Sequence, residues 1–412
     1  MNTKGFTTSI LHSDRAGGIE HGSLHKPVHF STTFEHASSA DIAAVFQGKQ
    51  AGYTYARQIN PTVVALEKKL NLMEDGLATC CFASGMAAIS ATFLSLLKAG
   101  DHLVSSAFLF GNTNSVFQTF QNFGIEVTFV DATDAANVAA ALRPNTRAVF
   151  VETIANPCTQ VADLAAIGTL CAARGLLYVV DNTLTGPWSF RPKAVGAGLV
   201  INSLSKHIGG HANALGGSVT EVGNFDWSTF PNIIEAYKTG NPQNWGLVQI
   251  RKKGLRDQGA CLSPEAAHHI SIGSETLVLR QRAVSSNAQQ LAEWFAARPE
   301  ISRVYFPGLP GHPQYERTRS LFRHAGSLMS IELKPAYDVF RFLDALELTI
   351  LTTNLGDNRT LAIPVAHTIY AEMGAARRAE MGIADGTVRL SIGIEDIEDL
   401  IADFAQALDK AR

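Results

Sequence analysis

The sequence predicts an α/β protein, with a mostly parallel central sheet followed by a smaller α+β unit. Three observations carry this. Between residues 77 and 203 there are short apolar runs without polar alternation. Helical stretches separate several of them, and after about residue 255 the texture changes to a long helical stretch near 273–297 and the Pro/Gly-rich FPGLPGHPQY. Strands apolar on both faces and separated by helices belong to a parallel sheet covered on both sides.

The first sixty residues carry Gly, His, Ser and Pro throughout and lack a sustained helical period, which predicts an extended arm over 1–60. Asn60-Pro61 then opens a helix, because Asn caps and Pro suits the first helical position. Val63, Leu66, Leu70 and Met73 recur at spacings of three and four, and Gly76 is expected to end it. Strand candidates follow at LATCCF, HLVSS, IEVTFVD, RAVFVE, LLYVVDN and GLVINS, with helices over 85–97, 134–142 and 163–174. Ligands in such sheets bind beyond the carboxyl ends of the strands. Later strands are expected at 327–333 and 387–392. The predicted organisation is an arm (1–60), a large domain (61–260) and a C-terminal domain (261–412), without repeats or low-complexity tracts.

Of the 412 residues, 46% are apolar and 17% charged, which supports a large core and excludes a disordered or fibrous chain. Lys plus Arg (34) nearly balances Asp plus Glu (37), for a net charge of -3. That leaves no basic excess for a nucleic acid. No run of about 18 apolar residues suits a membrane span, and the N-terminus lacks a signal-type apolar core. A cytoplasmic protein is expected. Cys80, Cys81, Cys158, Cys171 and Cys261 are an odd number, thinly spread, and read as reduced thiols rather than a disulfide framework.

The most informative segment is NSLSKHIGGHANALGG, where Lys206 follows a strand among small residues. Asp181 closes the apolar strand LLYVVDN, so its carboxylate lies at the ligand-binding end, where an acid could hold a protonated pyridine nitrogen. In ASGMAA a strand runs through Ser84, Gly85 and Met86 into a helix, so free backbone N–H groups and the helix dipole face one spot suited to a phosphate. Ser203 and Ser205 flank Lys206 at alternate positions. Together these residues suit a phosphorylated aldehyde bound to the lysine as a Schiff base.

With PVHFSTTF (27–34), YARQINPT (55–62), ASGMAAI (83–89), VETIANP (151–157), VVDNT (179–183), NSLSKHIGGH (202–211) and VRLSIGIED (388–396), the chain resembles the pyridoxal-phosphate-dependent Cys/Met metabolism family nearly end to end. That family includes cystathionine γ-synthase, cystathionine lyases, methionine γ-lyase and the O-acylhomoserine sulfhydrylases. The resemblance implies the type I, aspartate aminotransferase-like fold of pyridoxal-phosphate enzymes, with residues 61–260 holding pyridoxal 5'-phosphate. It makes Lys206 the Schiff-base lysine, Asp181 the partner of the pyridine nitrogen and Asn156 a contact of the phenolic oxygen. Gly85, Met86, Ser203 and Ser205 would hold the phosphate, joined by Tyr55 and Arg57 from a neighbouring subunit, so the site would exist only in a homo-oligomer, by resemblance a tetramer. Arg389 would clamp the α-carboxylate of an amino-acid substrate in the two-bonded geometry that a guanidinium suits. Lys206, Tyr55 and Phe110 form the expected catalytic set.

Two segments depart from the family pattern. Phe110-Gly111-Asn112-Thr113 stands where many members stack a tyrosine on the cofactor ring. Stacking survives without the hydroxyl, and its proton work would fall to Lys206, Tyr55 or water. Asn112 also replaces the cysteine of methionine γ-lyases. In NLGDNRTLAIPVAHTIY (354–370), Asn354 and Arg359 are expected to face the substrate, Arg359 toward its distal end, and IPVAHTIY replaces a more common run. The stretch 236–264 resembles the longer sulfhydrylase-type version.

The implied reactions are γ-replacement on an O-acylhomoserine first, then γ-elimination from cystathionine, methionine or canavanine, then a β-lyase. A dinucleotide-binding protein lacks its G-x-G-x-x-G, and a non-catalytic oligomer would not need Lys206, Asp181 and Arg389. His21, His25 and His29 lie four apart, but Gly22 and Pro27 argue against a helix, so no metal site is expected. His207 and His211 share that spacing, and packing of the lysine loop accounts for them.

Overall fold

The computed structural model describes residues 4–15 and 18–412; residues 1–3, 16 and 17 of the expected arm lie outside the described residues. Seven strands form the first sheet: β1 (Ala78–Phe82), β2 (His102–Ser106), β3 (Glu126–Val130), β4 (Thr146–Glu152), β5 (Leu177–Asp181), β6 (Leu199–Ser203) and β7 (Gly217–Glu221). Their order is β1-β7-β6-β5-β4-β2-β3. The pairs among β3, β2, β4, β5 and β6 are parallel. β7 is antiparallel to both neighbours, a strand the apolar pattern does not announce. Its Ser218, Thr220 and Glu221 are all buried. Two of the three are paired: Thr220 Oγ1 lies 2.9 Å from Thr79 Oγ1, and Glu221 accepts the Trp227 indole N–H at 2.7 Å.

The expected helices form close to their expected bounds. In Pro61–Glu74, Asn60 Oδ1 accepts the N–H of Thr62 at 2.9 Å, and the helix stops one residue before Gly76 because Asp75 takes the left-handed conformation. Gly85–Leu96, Ala135–Ala141 and Leu164–Arg174 cross between strands. Two apolar clusters, one on each face, hold the sheet between them, the larger built around Phe93, Phe117 and Phe150.

A second sheet of five strands comprises β8 (Ile301–Tyr305), β9 (Leu328–Leu333), β10 (Ile350–Leu351), β11 (Leu361–Pro364) and β12 (Thr387–Ser391), in the order β10-β11-β12-β9-β8. Val388 and Leu390 of β12 face a core shared with helices Leu277–Ala296 and Ile397–Lys410. Strand periodicity turns Thr387, Arg389 and Ser391 to the other face. The helical stretch expected near 273–297 is two helices, Pro264–Glu275 and Leu277–Ala296, broken at Thr276. The first of them packs on Pro61–Glu74 through Ile270, Leu66 and Leu70, so its apolar face joins the core beside the first sheet.

Candidate active site

Because β4, β5 and β6 run parallel, Glu152, Asp181 and Ser203 end at one rim, and a cavity of ≈ 450 Å³ opens there. The Ser84–Gly85–Met86 turn and Phe110 and Asn112 line it from the first sheet's loops, together with Ser205 and Lys206. Asn156, just past β4, lines it as well, and Asn354 and Arg389 come from the segment of the second sheet.

Ser84 caps helix Gly85–Leu96, its Oγ accepting the Ala87 N–H at 3.1 Å, so the first N–H groups of the helix face the cavity rather than a side chain. The fit here is close. A Cβ on Gly217 would lie 2.1 Å from the Ser84 carbonyl oxygen, so glycine lets β7 run directly under the turn. The Ser203 N–H donates to Thr183 Oγ1 at 2.8 Å, and the Ser205 hydroxyl accepts the Gly216 N–H at 3.0 Å.

Asp181 Oδ1 accepts the Thr183 N–H at 2.9 Å. Directly across the β4–β5 ladder stands Glu152, whose Oε1 accepts the Phe110 N–H at 2.8 Å. Burial pushes both carboxyls upward; the charge of Asp181 pushes Glu152 further, while Thr183 holds Asp181 back. The pair as a unit holds a proton more readily than two separate carboxyls would. Behind them, Glu74 Oε1 accepts from Asn182 Nδ2 (3.2 Å) and Asn202 Nδ2 (2.7 Å), tying the ends of β5 and β6 to helix Pro61–Glu74. Burial pushes the Glu74 carboxyl up to about 7.

Lys206 Nζ donates to Asn354 Oδ1 at 2.6 Å. Burial, with the charge of Arg389 added, pushes its ammonium down to about 8. The turn that carries it is fastened by Arg280, which donates to the carbonyls of His207 (2.7 Å), Ile208 (3.1 Å) and Gly273 (2.7 Å). His207 is buried, and burial with the charge of Arg280 pushes it down to about 3, so it is neutral and packs rather than titrates. Arg389 is buried on β12, its Nη2 held by the carbonyls of Thr353 (2.8 Å) and Asn354 (3.0 Å). Among the described residues its Nε has no partner and Nη1 reaches only Asn156 Oδ1 at 3.4 Å. Those are the donors left for a carboxylate.

Three expected residues stand apart. Tyr55 is 42% exposed and bridges to Thr33. Arg57, exposed, stacks 5.2 Å from the Tyr55 ring and donates to the Arg256 carbonyl. Within one chain neither lines the cavity. Arg359 does not line it either: Asp357 clasps its guanidinium at 2.7 and 3.3 Å, and the side chain is 56% exposed. The short Asp357-Asn358-Arg359 turn accounts for this, since the buried Asp357 carboxylate is the nearest counter-charge. The sequence reading missed Glu152, Thr183 and Leu215. Glu152 closes an apolar strand just as Asp181 does, and that signal would have found it.

A helix N-terminus, a depressed lysine, a strand-end acid and an arginine with free donors converge on one cavity, a donor set that fits a phosphorylated pyridine aldehyde joined to an amino acid. The Cys/Met metabolism PLP-dependent enzyme family model matches residues 7–409. The chain belongs to this family.

Among its relatives, an L-methionine γ-lyase of Fusobacterium nucleatum is 36% identical, with all of each chain covered. An O-succinylhomoserine sulfhydrylase of Pseudomonas aeruginosa is 36% identical over 94% of this chain and 91% of its own. A solved Campylobacter jejuni structure, described as an O-acetylhomoserine (thiol)-lyase, superposes with a TM-score of 0.93 at 29% identity, covering 98% of this chain and 100% of that one. It carries a pyridoxyl-lysine-phosphate. Membership makes this chain a pyridoxal-phosphate-dependent enzyme with the type I fold. Among the described residues no helix is long and apolar enough to cross a membrane.

Proposed function

We propose that this enzyme catalyses γ-replacement on an O-acylhomoserine or γ-elimination from a γ-substituted L-amino acid. The convergence of Lys206, Asp181, Arg389 and the Gly85 helix N-terminus on one ≈ 450 Å³ cavity carries this reading. Relatives at 36% identity include both a sulfhydrylase and a γ-lyase, which supports both outcomes.

Bound pyridoxal phosphate supplies an electron sink that acidifies the substrate's α- and β-hydrogens. Lys206 holds the cofactor, and its amine, pushed toward the neutral form, moves the proton at Cα and then one at Cβ. Asp181 keeps the pyridine nitrogen protonated. The Gly85 and Met86 N–H groups with Ser203 and Ser205 bind the phosphate, Asn156 meets the phenolic oxygen, and Phe110 stacks on the ring. Arg389 orients the α-carboxylate, and Asn354 steadies the Lys206 amine near it. Asn112 faces the γ-substituent.

The site is completed by a second copy of the chain, which brings Tyr55 and Arg57 to the phosphate. Support comes from the exposed apolar side chains that one chain leaves around the arm and the cavity mouth: Phe30 (69%), Phe46 (68%) and Leu215 (68%). A tetramer is the assembly we favour, with arm 1–60, cofactor domain 61–260 and C-terminal domain 261–412. The five unpaired cysteines suit a reducing cytoplasm.

The deciding experiment is product analysis with O-acetylhomoserine, O-succinylhomoserine, cystathionine, methionine and canavanine, each with and without sulfide or cysteine. A new thioether or homocysteine formed only with the thiol establishes replacement. A fragment released without added nucleophile establishes a lyase. No turnover of any γ-substituted amino acid overturns the reading.

A further inference from the structure

We infer that the cavity selects substrates whose γ-substituent carries no net charge, such as an acetyl ester, a thioether or a weak base in its neutral form, and rejects those ending in a carboxylate or ammonium. This rests on the roles given above to Lys206, Asp181 and Arg389.

Among the described residues, four charged side chains line the cavity: Glu152, Asp181, Lys206 and Arg389. Three are committed to the cofactor and the α-carboxylate. The fourth, Glu152, accepts the Phe110 N–H at 2.8 Å and lies beside Asp181 at the strand ends, where two neighbouring carboxyls favour one proton between them. Among the described residues lining the cavity, no ionic partner is left for a charged distal group. The remaining walls are neutral: Met86, Ile89, Leu355 and Ile369 are apolar, and Asn112 is an amide. Thr113 turns its hydroxyl to the Met86 sulfur at 3.8 Å.

Arg359 does not change this balance. Asp357 is buried and holds the guanidinium through two contacts, so the pair is neutral as a unit. Drawing Arg359 away would strand a buried carboxylate. Arg57, if a partner copy delivers it to the phosphate, is committed as well. A substrate with a charged end would therefore lose its hydration without gaining a counter-ion.

The test uses three non-reacting amino acids of similar length that differ in end charge: L-norleucine, L-2-aminoadipate and L-lysine. Each is titrated into the yellow holoenzyme and its binding read from the change in visible absorption. Norleucine is expected to bind at least about tenfold tighter than the other two, one factor of ten being 1.4 kcal/mol. Equal or tighter binding of aminoadipate or lysine overturns the inference. In R359Q the norleucine-to-aminoadipate ratio should stay within about threefold, and a tenfold loss of aminoadipate binding alone would show Arg359 reaching the ligand, against the inference. Canavanine and arginine share a shape, but the oxyguanidine is the much weaker base; arginine bound as tightly as canavanine likewise counts against it. Because binding is read without turnover, a norleucine preference in a protein that converts none of the γ-substituted amino acids leaves this inference standing while the proposed reaction falls.

Discussion

The two ends of the cavity are built differently. At the end proposed to hold the phosphate, Ser203 and Ser205 are fixed by hydrogen bonds, the Glu74–Asn182–Asn202 cluster ties the strand ends behind them, and Gly217 leaves no spare volume. At the substrate end, Leu215 is largely exposed, Asn112 is exposed, and the apolar walls include Leu355 and Ile369 on loops. Rigid polar scaffolding fixes what every reaction of the family shares, and a softer neutral surface is left to discriminate between substrates.

Mutations should expose that asymmetry, and the largest effect belongs to the lysine. Lys206→Ala should leave a colourless protein with activity down by about 10³-fold or more, measured by visible absorption and turnover. Retained colour with retained turnover would refute its role.

Arg389→Ala should raise KM by roughly 10- to 100-fold, the loss of a charge-assisted pair, with the cofactor spectrum unchanged. A smaller effect awaits at the open end. Asn112→Ser should change the ratio of kcat/KM between two γ-substituted substrates by about tenfold or less and leave cofactor affinity alone. If cofactor affinity falls instead, the division between the ends is wrong.

Two pH dependences sharpen the contrast further. Lys206 loses its proton near pH 8 rather than near 10.5. The rate at which cofactor-free protein turns yellow on adding pyridoxal phosphate should therefore climb through about pH 8 and level off, whereas an ordinary lysine would keep climbing past about pH 10. The smallest effect concerns Glu74, raised from 4.5 to about 7 in the folded chain. The folded state binds the proton more tightly, so its stabilising contribution is full below about pH 4.5 and is lost as pH rises through about 7. Glu74→Gln should match the parent Tm near pH 4.5 and exceed it above pH 7; a constant difference across that range would argue against a titrating Glu74.

The same division governs what the sequence reveals. Strands β1 to β6 announce themselves because apolar runs on a sheet covered on both faces need no polar alternation. β7 stays hidden, since its run mixes the buried polar Ser218, Thr220 and Glu221 with few apolar residues, and the partner of Thr220, Thr79, is remote in the chain. Lys206, Asp181 and the Gly85 turn are legible because their chemistry is local: a strand end, a helix start, flanking serines. Arg359 is not legible in this way, for a matching reason: within one chain it pairs with Asp357 and does not line the cavity. Its position follows a motif, but its direction is decided by Asp357, and the outcome depends on which of the two is buried.

Gly356 sits where the two sheets meet. With φ at +74°, it lies so close to the lysine turn that a Cβ would stand 2.6 Å from the His207 nitrogen, while its own N–H donates to Ser391 Oγ at 2.9 Å. For an engineer seeking new substrates, this contact draws a boundary. Insertions or bulkier residues between Thr353 and Asp357 would displace the lysine turn along with the loop and cost the chemistry before they altered preference. Replacements at Asn112, Leu215 or Ile369 touch neither anchor, and libraries placed there can explore new leaving groups on an undisturbed catalytic frame.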